Sequence, residues 1–105
     1  DMNYIEIMER IGEYTLAEFP QYEEQLVVRI TFAYISIFNQ LIQCEDYKNK
    51  REYMILKNKL RDVWFKIIKN SAAPSELKMA VTLLNINEKI YKFVWSKYNK
   101  YESNN

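Results

Sequence analysis

Apolar residues recur along this chain at spacings of three and four, the repeat of an α-helix that buries one face. Tyr4, Ile5, Met8, Ile11, Thr15, Leu16 and Phe19 form the first stripe, with Glu6, Glu9, Arg10 and Glu13 opposite, and predict a helix over residues 3–18. Glu6 and Arg10 stand four apart and can pair across one helical turn. Pro20 stops the helix, because its ring pushes the preceding residue, Phe19, out of helical geometry.

The second periodic segment spans Gln21 to Cys44. Leu26, Ile30, Ala33, Tyr34, Ile37, Phe38 and Leu41 make its stripe, and Val28, Phe32, Ile35 and Ile42 widen it, with Arg29 the only charge between Leu26 and Cys44. A helix apolar nearly all round belongs at the centre of a fold. The β-branched run through Ile30, Thr31, Ile35 and Ile37 also suits a strand, but the segment is too long for one. After a charged connection, Glu45–Lys50, a third helix repeats Tyr53, Leu56, Leu60, Val63, Trp64, Ile67 and Ile68 among eight Lys or Arg residues between Lys48 and Lys69. Its outer face is strongly basic.

Asn70–Ser75 reads as a turn, and Pro74 with Glu76 suits the first turn of a fourth helix over residues 75–85, whose core face is Leu77, Ala80, Val81 and Leu84. Asn85 and Asn87 interrupt it, and Asn87 is the expected cap of a fifth helix. There Ile90, Phe93, Val94 and Lys97 face one way and Tyr91, Trp95 and Tyr98 another, while Glu88 can pair with Lys92. The expected fold is all-α: one domain over residues 1–105, a small bundle of about five helices on a single core, with a frayed tail at 101–105. No repeat, heptad series or low-complexity tract interrupts this pattern.

The rarest residues narrow the chemistry. With one glycine, Gly12, the chain cannot form a phosphate-cradling loop, and with no histidine and one cysteine, Cys44, it lacks both an imidazole base and a thiolate zinc cage. Cys44 is expected to pack as a small hydrophobe at the end of its helix. A lone cysteine agrees with a reducing, cytoplasmic setting. The amino terminus shows no signal-peptide pattern, and the longest uncharged stretch, Ile30–Cys44, carries too many polar residues to span a bilayer.

The carboxylates offer no site either. Glu6, Glu9 and Glu13 share a face opposite the apolar stripe, where a solvated surface is expected rather than a metal site, and Glu23 and Glu24 suit the positive end of the second helix. Ser71, Ser75 and Ser96 have no base near them in sequence. Catalytic, cofactor-binding and metal-binding residues are therefore expected to be absent. Residues 1–46 carry two basic and nine acidic side chains and residues 47–105 thirteen basic and five acidic ones. Such a lopsided chain either pairs acidic helices with basic ones or offers its basic half to a partner.

The carboxy-terminal region concentrates the candidate partner residues. Lys78, Lys89, Lys92, Lys97 and Lys100 alternate with Tyr91, Phe93, Trp95, Tyr98 and Tyr101, a mixture that suits lipid headgroups, a nucleic acid, or simply the core or the seam with a neighbouring domain. Eleven lysines to four arginines, and no recognition-helix turn, disfavour nucleic acid. The candidate membrane or partner contacts are Lys89, Tyr91, Lys92, Trp95 and Tyr98.

Several stretches also resemble a known family: Leu60–Lys66, then Leu77–Ile86, then Lys89–Lys92 and Lys97–Tyr98. They are similar to the helical carboxy-terminal extension of bacterial family 2 glycosyltransferases, which ends in a pattern like Leu-Lys-x-x-x-x-Leu-Leu-x-Ile-x-x-Lys-Leu-Tyr-Lys. That pattern stands at Leu77–Lys92, with Ile90 in place of Leu. The resemblance extends over nearly all 105 residues. It implies a parent enzyme with an amino-terminal catalytic domain of the GT-A type, transferring sugar from a nucleotide-sugar to a cell-surface glycan with the help of a divalent metal on an Asp-x-Asp motif. No such motif occurs here, so none of the family's catalytic, donor or metal residues can be placed on this chain. The expected role is an accessory domain that packs on that catalytic domain, cytoplasmic, with its last helix approaching the inner face of the membrane. The competing expectation is a free-standing helical adaptor or regulator that binds a protein or nucleic acid.

Overall fold

A computed structural model describes the backbone of residues 1–103 and the side chains of residues 1–98. Five helices follow one another: α1 (Met2–Glu18), α2 (Glu23–Leu41), α3 (Arg51–Ile68), α4 (Ser75–Ile86) and α5 (Glu88–Ser103). No strand occurs among the described residues. The backbone of the tail expected to fray stays helical through Ser103, and Asn104 and Asn105 lie outside the described residues.

The stops and starts have local causes. Phe19 leaves helical geometry at φ −135° and ψ 68° before Pro20, and Pro20–Tyr22 forms a single 3₁₀ turn that leads into α2. α2 ends at Leu41, three residues short of the predicted Cys44, and Asp46 then turns the chain in the left-handed region at φ 64°. Aspartate tolerates that region better than most residues, and the Asn49 amide braces its carboxylate at 2.7 Å. At the α4–α5 joint the Asn87 side chain accepts from the Ile90 amide at 3.2 Å, the cap that its position predicts.

α2 runs through the middle and contributes to both lobes of the core. One lobe gathers Ile5, Tyr34, Phe38, Ile42, Leu56, Leu60, Leu84 and Tyr91, so that all five helices meet around Phe38. The other gathers Ile67, Leu77 and Val81 against Val27, Val28 and Trp64. Ile35 and Val63 border both lobes and join them into the single core that was expected.

α1 is rotated from its predicted face. Ile5 and Gly12 are buried, whereas Tyr4, Ile11 and Phe19 of the predicted stripe, and Ile7, stand exposed. The reason is Gly12, which lets α1 approach α2 so closely that an added Cβ would meet the Ile30 Cδ1 atom at 3.0 Å. Alanine at this position gains about 1 kcal/mol of helix propensity. The tip of Ile30 must shift by a few tenths of an ångström to admit it. We expect Gly12→Ala to leave stability within about 0.5 kcal/mol of the parent and Gly12→Leu to cost about 2 kcal/mol or more, read from urea unfolding.

Polar contacts join the helices elsewhere. The buried Asn70 side chain donates to the Glu24 carbonyl at 2.9 Å, and the Glu24 carboxylate accepts from the Ser71 amide and hydroxyl, tying the α3–α4 turn to the first turn of α2. Those two bonds from Ser71 hold the Glu24 carboxyl below its ordinary pKa. Trp64 donates its indole N–H to the Thr82 hydroxyl at 3.0 Å, linking α3 to α4.

Candidate functional site

Two carboxylates, Glu9, expected on a solvated face, and Glu88, expected to pair with Lys92, are structural anchors. Glu9, half-buried on α1, accepts from the Tyr34 hydroxyl and from Lys59 Nζ at 2.7 Å. It therefore does not belong to a solvated Glu6–Glu9–Glu13 face, because the close approach of α1 to α2 turns it inward. Burial would raise its pKa, but the bonds from Lys59 and Tyr34 and the charge of Lys59 outweigh that and hold it low. Lys59 brings the basic half of the chain onto the acidic half at this point. Among the described residues no three of the metal-ligating side chains group together.

Glu88 is the second anchor. Instead of the Lys92 spacing partner, it binds Tyr53 at 2.6 Å, Lys57 at 3.0 Å and Tyr47 at 3.3 Å. Burial would again raise its pKa, and the bonds from Tyr53 and Lys57, the Lys57 charge and the Tyr47 bond bring it below the ordinary value. Tyr53 is pushed well above the ordinary phenol range by burial and by Glu88. Lys92 stacks its ammonium over the Tyr47 ring, 4.6 Å from the centroid. Glu6 and Arg10 form no ion pair. Both clusters tie helices distant in the chain to one another, Glu9 joining α1 to α2 and α3, and Glu88 joining α5 to α3 and to the turn that precedes it.

The candidate contact residues part company on α5. Tyr91 is buried, its hydroxyl on the Asn39 side chain and its pKa raised to about 12 by burial. Trp95 is half-buried, Lys92 is half-buried on Tyr47, and Lys89 and Tyr98 are exposed. Cys44, expected to pack, is also exposed, because α2 ends before it and the turn carries it outward.

What the structure brings together is a groove of about 900 Å³. Met79, Leu83 and Ile86 of α4 form one wall, Val94, Trp95 and Tyr98 of α5 the other, and Phe32 and Ile35 of α2 the floor. Met79 and Ile86 are 72% and 68% exposed, so the α4 wall is uncovered rather than packed. The sequence carried a signal for this wall, since Met79, Leu83 and Ile86 repeat at helical spacing on the side of α4 away from Leu77, Val81 and Leu84. A second, more polar cleft of about 640 Å³ lies between the start of α1 and α2, lined by Tyr4, Arg29, Phe32, Ser36 and Gln40. No helix of the described residues is long and apolar enough to cross a membrane. No protein-family model, curated protein or solved structure matches this chain.

Proposed function

We propose that this chain is a non-catalytic docking domain whose α4–α5 groove seats a neighbouring protein domain. The observation that carries the reading is the groove itself: an apolar concavity of about 900 Å³ on a chain of 105 residues. Walls such as Met79, Ile86 and Val94 remain wetted until another surface fills the space between them, and exposed apolar patches of this kind mark interaction sites. The neighbour follows from the Leu77–Lys92 resemblance. It is the GT-A-type catalytic domain of a family 2 glycosyltransferase, which supplies the nucleotide-sugar, metal and acceptor chemistry that this chain lacks.

Two measurements test the reading. Incubated alone with nucleotide-sugars, the chain should release no nucleotide diphosphate above the blank; turnover would refute a non-catalytic role. In a polypeptide carrying both parts, Met79→Glu with Val94→Glu should free the helical domain to rapid proteolytic removal while its own helicity stays intact. A reading frame that begins at this domain, with no upstream β/α region bearing an Asp-x-Asp motif, would replace the glycosyltransferase parent with the adaptor.

A further inference from the structure

α5 exposes a second face, which borders the groove along Val94. Ile90, Phe93, Val94 and Lys97 fall at i, i+3, i+4 and i+7, and thus on one side of the helix, while Tyr91, Trp95 and Tyr98 turn toward α2 and α4. Ile90 and Phe93 are 48% and 63% exposed and belong to neither core lobe nor groove.

The exposed charges that α5 itself sets beside this face have one sign among the described side chains. Lys89 and Lys97 are both exposed, and no carboxylate among the described residues lies within ion-pair distance of either. Glu88, the only acid among the described side chains of α5, is turned away and held by Lys57, Tyr53 and Tyr47. The Lys97 ammonium sits 5.5 Å from the centre of the Phe93 ring, so its stem lies along the apolar row while its charge remains at the water side. The face is thus an apolar strip with cations at its edge.

From this arrangement we infer that the outer face of α5 rests on an anionic lipid bilayer, with Ile90 and Phe93 at the headgroup–acyl boundary and Lys89 and Lys97 on the anionic headgroups. An aliphatic and aromatic strip edged by lysines is what an interfacial helix uses, partitioning its apolar side and drawing affinity from negative lipids. A nucleic acid would satisfy the lysines but leave Ile90 unused, since aliphatic side chains stack poorly on bases. An acidic peptide would likewise match the charge and strand the strip. Ile90 and Phe93, which this contact uses, are not part of the groove lining.

Sedimentation of the chain with vesicles tests it. The protein should pellet with phosphatidylcholine vesicles containing phosphatidylserine and remain in the supernatant with phosphatidylcholine alone, and added salt should weaken the binding. Ile90→Gln with Phe93→Gln should reduce partitioning on the order of tenfold, and Lys89→Glu with Lys97→Glu at least about tenfold. Both pairs lie on the surface, so unchanged helical circular dichroism is expected and separates lost binding from lost folding. Met79→Glu, in the groove, should bind vesicles as the parent does. Equal pelleting with both vesicle types, unchanged binding by either α5 pair, or tighter binding to polyglutamate or duplex DNA than to the anionic vesicles would overturn the inference.

Discussion

Phe38→Ala should cost about 3–5 kcal/mol of unfolding free energy, the largest loss expected from any single truncation in this chain. Phe38 is fully buried at the middle of α2, with its ring centre 6.2 Å from those of both Tyr53 and Tyr91. All five helices line its lobe of the core, so no one helix can move in to fill the space left by the ring. A domain of this size has roughly 5–15 kcal/mol in total, so the variant should lie near its unfolding midpoint already in mild urea. Phe38→Leu keeps most of the volume and should lose far less. A urea midpoint for Phe38→Ala close to that of the parent would show that the helices do not converge on this residue.

The second large effect is expected at Glu88. Replacing it with alanine leaves Tyr53 without its acceptor, removes that of Tyr47, and strips Lys57 of its counter-charge, at a cost of about 2–3 kcal/mol. The same residue sets part of the acid response. Its folded pKa lies below the ordinary 4.5, so its contribution is fully present above that value and is lost as pH falls through the lower folded value. Glu9 follows the same sign, since Lys59 and Tyr34 also hold it low against the opposing effect of burial. Stability should therefore be level through neutral pH and fall below about 4.5. Glu88→Gln should show a lower plateau and a shallower acid limb, measured as urea midpoints across pH; a limb as steep as that of the parent would remove Glu88 from the account.

Both anchors show where sequence reading loses its grip. Helical spacing placed Glu9 on the polar side of α1 and paired Glu88 with Lys92, because periodicity records only neighbours along one helix. Their actual partners are 25 to 50 residues away: Tyr34 and Lys59 for Glu9, Tyr47, Tyr53 and Lys57 for Glu88. The rotation of α1 has the same origin. A glycine counts as nearly neutral in a stripe of apolar residues, yet the missing side chain at Gly12 is what allows close contact with Ile30 and selects the buried face. Cys44 fails for a local reason, the end of α2 at Leu41 followed by the left-handed Asp46.

The candidate site divides in a similar way. The alternation of lysine and aromatic residues in the last helix was legible, and so was its split into a face with Ile90, Phe93, Val94 and Lys97 and another with Tyr91, Trp95 and Tyr98. Which of these faces packs, and which remains in water, was not. Tyr91 is drawn in by Asn39 and Phe38, contacts between α5 and α2 that no spacing within α5 encodes. The groove depends on three helices at once, since Phe32, Met79 and Val94 become neighbours only after α2, α4 and α5 have packed.

By itself the sequence determined the all-α class, the number of helices, and the ends that a proline or an asparagine cap marks. These depend on residues within a few positions of one another: a 3.6-residue apolar repeat, Pro20 after Phe19, Asn87 before Glu88. Only the tertiary structure decided the inward face of α1, the two lobes of the core, the burial of Glu9 and Glu88, and the separation of a groove from an outer face on α5. Each of those is settled by side chains far apart in the chain competing for the same buried volume, and the outcome of that competition is fixed by how closely the helices approach.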